Sequence, residues 1–144
     1  MSASRADKSK KENKARAKQL DKDIKGKGLP GATKVTGSYV EKGDDGKEKK
    51  VKERSHVVTS GKKGKRAFKK AVKSLGKKYG QDSVLTQTKK TGTLSATRKG
   101  GLGKKPKDKR PLGSTKRVGL GKFKPQGKNP EGQSQIKGKT FTYG

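Results

Sequence analysis

Positive charge constrains this chain more than any other feature of its sequence. Lysine and arginine number 42 against 12 aspartates and glutamates, a net charge of +30 over 144 residues. Charge of that density repels itself in any compact state unless a polyanion neutralises it. Leucine, isoleucine, valine and phenylalanine together number only 21, under the level of roughly 20% below which highly charged sequences tend not to fold. Ordering a residue costs about 1–2 kcal/mol, and so little apolar surface cannot offset that cost along the whole chain. The expected fold class is therefore a small, marginal α+β centre, two hairpins plus one amphipathic helix, carrying largely disordered basic Gly/Lys-rich arms.

The centre is expected over residues 35–98, between a charged arm and linker at 1–34 and a basic arm at 99–144. "VTGSYVEK" (35–42) and "VKERSHVVTS" (51–60) are β-rich runs around a polar turn and predict a first hairpin. Phe68, Ala71, Val72, Leu75 and Tyr79 recur every three or four residues, predicting a helix from about 64 to 79 with one apolar stripe. Ser60 is its N-cap candidate, and Gly80 stands where a left-handed residue closes a helix. "SVLTQT" (83–88) and "TLSATR" (93–98) predict a second hairpin. Before the centre, Ala17, Leu20 and Ile24 leave two readings open for residues 1–26, a helix with one thin apolar face or a solvated arm. After it, "GLGKKPK" (101–107) and "GLGKFKP" (119–125) repeat a short phrase without helical or strand period. Phe141 and Tyr143 share a face at period 2, so the end can form a terminal strand.

Chemistry-bearing motifs are scarce. "GKGLPGATK" (26–34) and "GQSQIKGKT" (132–140) approach a phosphate loop, but the first lacks its lysine and the second has its first glycine one residue too far. His56 is the single histidine and cysteine is absent, so neither a histidine pair nor a Cys or multi-His metal cluster is available. Asp44 and Asp45 fall in turn chemistry rather than a calcium-loop frame. No apolar run is long enough to span a membrane, and "MSASRADKSKK" (1–11) carries no apolar h-region, so secretion is not expected. The expectation is a protein that is not an enzyme, with no metal, cofactor or membrane.

Charge then points to the partner. Residues 1–60 carry a net +8 and residues 61–144 a net +22, and lysine outnumbers arginine 35 to 7. Lysine is a hydrated point charge suited to neutralising phosphates rather than reading bases. Nonspecific DNA or RNA binding is expected, as a protein that neutralises or condenses the backbone. Its contacts would be Lys69, Lys73 and Lys77 on the helix, and Lys104, Lys105, Arg110, Arg117, Lys122, Phe123 and Lys124 in the arm. The alternatives are a structural component of a ribonucleoprotein particle, or a virion protein whose arms bind an acidic protein surface. An intracellular location, the nucleoid or a virion interior, goes with these readings.

The helix and the phrase "KYGQDSVL" (78–85) that follows it resemble a helix–YGQ–strand phrase of small uncharacterised bacterial and phage-encoded domains. That resemblance implies a phage-associated protein, supplies no catalytic residues, and matches no characterised family.

Overall fold

The computed structural model describes residues 1–42, 45–102, 109–119, 132–136 and 139–143. The first helix, α1 (Lys10–Gly26), realises the helical reading of the amino-terminal segment. Ser9 starts it with a capping box: the Glu12 amide donates to Ser9 Oγ (3.1 Å), and the Ser9 amide donates to Glu12 Oε2 (2.8 Å). The second helix, α2 (Lys65–Lys78), begins at Gly64 with no side-chain cap, not at Ser60. Ser60 instead closes the preceding turn, its carbonyl accepting from the Lys63 amide (3.0 Å).

Gly80 ends α2 as its position implies. Its φ is +68°, its amide reaches the Lys77 carbonyl (3.1 Å), and the Gln81 amide reaches the Gly76 carbonyl (2.9 Å). These two bonds form the paired closure that satisfies a helix's orphan carbonyls.

Both predicted hairpins are present. β1 (Thr33–Lys42) pairs antiparallel with β2 (Glu48–Val57), and β3 (Ser83–Gln87) with β4 (Gly92–Ala96). β2 starts three residues earlier than its apolar content indicates, because the backbone register runs on to Glu41↔Lys49 and Lys42↔Glu48. Three strands follow residue 99: β5 (Thr115–Val118), β6 (Gly132–Ile136) and β7 (Lys139–Tyr143). The sheets are ordered β2-β1-β6-β7 and β3-β4-β5. The described residues thus form a small mixed α/β core of two helices and two small sheets.

The core lies where α1 meets α2. Leu20 and Ile24 from α1 join Ala71, Val72, Leu75 and Tyr79 from α2, with Ala3 and Leu29 closing the cluster and Phe68 partly buried at its margin. The opposite side of α2 lies against the second sheet. A Cβ added at Gly76 would sit 2.5 Å from Val84 Cγ1 and 3.0 Å from Thr97 Cγ2, so only glycine allows this approach.

The amino-terminal residues lie along the outer edge of β2. Met1 and His56 exchange backbone bonds, His56 N–H to Met1 O (2.6 Å) and the Met1 amine to His56 O (3.0 Å). Ser2 Oγ donates to the Arg54 carbonyl (2.6 Å), and Ser2 and Ala3 are buried. Such a cover protects a strand edge from further pairing. Among the described residues, no helix is long and apolar enough to cross a membrane.

Candidate active site in the interhelical cleft

A cleft of about 390 Å³ opens between the helices, lined by Lys22, Asp23 and Gly26 of α1, by Lys27 that caps it, and by Ser74, Leu75 and Lys78 of α2. Helical spacing produces this set. Lys22 and Gly26, Asp23 and Lys27, and Ser74 and Lys78 each stand four residues apart, one above the other on one face. Lys27 Nζ approaches Ser74 Oγ across the cleft at 3.5 Å.

Among the described residues Asp23 is the only anion lining the cleft, and it is held firmly. Lys78 Nζ lies 2.7 Å from its Oδ2, the Tyr79 hydroxyl donates to the same oxygen at 2.6 Å, and Gln19 Nε2 donates to Oδ1 at 3.1 Å. Lys78 first, and the Tyr79 hydroxyl next, lower the Asp23 pKa from 3.8 to about 2. Burial, and then the neighbouring Asp23 carboxylate, push the Tyr79 phenol well above its ordinary value. The pair therefore stays as phenol and carboxylate across the neutral range.

This carries a stability signature. A carboxylate depressed by folding adds stability that is fully present above its unfolded pKa of 3.8 and is lost as pH falls through about 2. The difference amounts to about 2 kcal/mol for a group this shielded. Urea midpoints should separate the wild type from Asp23→Asn above about pH 4 and converge near pH 2. A gap that stays constant down to pH 2 would show that Asp23 contributes no charge-dependent stability.

A second ion-pair group lies behind α1. Asp21 holds Lys34 Nζ at 2.8 Å through Oδ2, and its Oδ1 is 3.1 Å from His56 Nε2. His56 is 3% exposed. Neither ring nitrogen meets a partner in hydrogen-bonding geometry, so Asp21 acts on it as a nearby charge. Burial lowers the His56 pKa, and Asp21 opposes the shift. Among the described residues no group of three His, Cys, Asp or Glu side chains could hold a metal ion.

The residues expected to bind nucleic acid do not meet at the cleft. Lys69, Lys73 and Lys77 follow one another at four-residue steps along α2, and none lines it. Arg110 is exposed ahead of β5, its carbonyl accepting the Gly100 amide at 2.8 Å, and Arg117 is exposed within β5. Lys104, Lys105, Lys122, Phe123 and Lys124 lie outside the described residues, as does Asp44. Asp45 makes a turn bond, accepting the Lys47 amide at 3.0 Å. No motif in the sequence marks Lys22, Asp23, Lys27 and Ser74, and the apolar stripe accounts for Tyr79 only as a core residue. Four-residue spacing was the available signal, but it does not say which face of α1 meets α2.

Fold and cleft together define a small α+β protein with an ionised carboxylate set among lysines between two helices. The family model of the S-Adenosylmethionine lyase family matches residues 1–144, and the chain belongs to that family. No curated protein and no solved structure matches it.

Family membership overturns several expectations. A characterised family covers the whole chain, so the resemblance drawn on the helix and residues 78–85, which matched no characterised family, understated its relations. An enzyme family implies an enzyme, against the expectation of none, and it displaces nonspecific DNA or RNA binding, the ribonucleoprotein role, the acidic-protein partner and the phage or virion association. The physical reason is that net charge describes the field around a protein and the ions it attracts, not the reaction its fold supports.

Proposed function

We propose that this protein cleaves S-adenosylmethionine without water, in the cleft between α1 and α2. The observation that carries the reading is the family match over residues 1–144. The substrate brings a sulfonium, an α-ammonium and a carboxylate. In a chain of net charge +30, its cationic groups need a carboxylate that remains ionised, and Asp23 is held in that state within the cleft. Lys22 and Lys27 offer complementary charge to the substrate carboxylate.

The chemistry asks little of the protein beyond orientation. Cleavage without water needs a nucleophile inside the substrate, and its own carboxylate oxygen reaches Cγ in a five-membered ring. The Cγ–S electron pair departs with sulfur, a neutral thioether leaves, and the new C–O bond closes a lactone. No proton leaves carbon and no atom is gained. Catalysis then rests on holding the reacting atoms close and in line. An intracellular place of action accompanies a substrate made and used within cells.

The direct test is incubation of the purified chain with S-adenosylmethionine and mass analysis of the products. Methylthioadenosine and homoserine lactone in equal amounts are expected. No product above the rate of spontaneous decay would end the lyase reading, and homoserine formed without passing through lactone would mean hydrolysis.

A further inference from the structure

We propose that Arg16 is a positioning residue for the cleft, clamping Tyr79 between the amino-terminal strap and Asp23. This rests on the reading of the cleft as the site of S-adenosylmethionine cleavage.

The strap is residues 2–5, and three bonds run between its neighbourhood and the turn that ends α2. The Ser2 amide donates to Gln81 Oε1 (3.0 Å), Arg5 Nη1 to the Gly80 carbonyl (2.5 Å), and Arg16 Nη2 to the Tyr79 carbonyl (2.9 Å). The phrase Tyr79-Gly80-Gln81 is thus a receptacle for the strap. Arg16 ties the two together, because its Nε donates to the Ala3 carbonyl at 2.7 Å while its guanidinium carbon sits 5.5 Å from the Tyr79 ring centroid.

From there the chain of contacts reaches the cleft in one step. The Tyr79 hydroxyl donates to Asp23 Oδ2, the oxygen that also holds Lys78. A planar guanidinium satisfies two carbonyls and covers a ring at once, and a lysine ammonium cannot reproduce that geometry. The main chain of Tyr79 is fixed from one side by Arg16 and its hydroxyl from the other by Asp23. A shift of the ring therefore moves the carboxylate and Lys78 together. Arg16 does not line the cleft itself, so its effect passes through Tyr79.

The test is a double-mutant cycle on the full chain, reading the titration of the Asp23 carboxyl by carbon NMR with no substrate present. Arg16→Gln should raise its midpoint from about 2 toward 3.8. Arg16→Lys, which keeps the charge, should raise it as well. In the Tyr79→Phe background neither change should move Asp23 further. Turnover of S-adenosylmethionine should fall about tenfold or more in Arg16→Lys, with its melting temperature held. Restoration of both the titration and the turnover by lysine would overturn the proposal, as would additive shifts in the cycle. Should Arg16→Gln lose its melting transition, Arg16→Lys completes the cycle alone. Because the titration needs no substrate, a chain without lyase activity would remove the reading of the cleft while still deciding whether Arg16 controls Asp23.

Discussion

Leu75→Asp is expected to abolish the cooperative unfolding transition of this protein. Leu75 is 1% exposed and packs with Leu20, Ile24, Val72 and Tyr79. An aspartate there either buries an unpaired carboxylate or forces the helices apart, and each outcome costs several kcal/mol. A core this small supplies only about 3–5 kcal/mol. Circular dichroism should show the helical signal reduced at 25 °C with no melting transition, whereas Leu75→Met should retain one at a cost under ~1.5 kcal/mol. A Leu75→Asp protein that melts like the wild type would place the Leu75 side chain at the surface.

The second large effect is expected at Gly26. It lines the cleft, and a Cβ built on it meets nothing within 4 Å. Gly26→Phe therefore adds a side chain to open space, and replacing a glycine in the last turn of α1 removes a helix penalty of up to about 1 kcal/mol. Stability should hold or rise while the cleft fills. If the substrate binds there, turnover should fall at least ~100-fold, a loss of about 2.7 kcal/mol in transition-state stabilisation. Gly26→Ala should keep both stability and most of the activity. Full activity in Gly26→Phe would move the reaction elsewhere on the protein without touching the family assignment.

Local pattern accounts for what was legible in the sequence. Phe68, Ala71, Val72, Leu75 and Tyr79 mark α2 because a helical period needs only near neighbours, and Gly80 marks its end because few other residues adopt φ +68°. The two hairpins were legible for the same reason. α1 remained ambiguous because Leu20 and Ile24 are only two fully buried side chains, and what buries them comes from α2 some 50 residues further along. β5 and β6, "TKRV" and "GQSQI", show no alternation of apolar residues. They become strands because β4 and β1 offer them backbone partners, which composition does not record. The cleft was hidden in the same way, since Asp23 and Tyr79 are 56 positions apart. Charge was the loudest signal and the least informative about reaction, since lysines that project into water alter the field around a fold more than the chemistry within it.

The close seat of Gly76 on Val84 and Thr97 makes α2 the common wall of two compartments that share no other helix among the described residues. One side of it closes the cluster with α1, and the other closes the three-stranded sheet. Opening α2 therefore wets both at once. Amide protons paired in β4 should then exchange with solvent no more slowly than those of α2, the helix that shelters them.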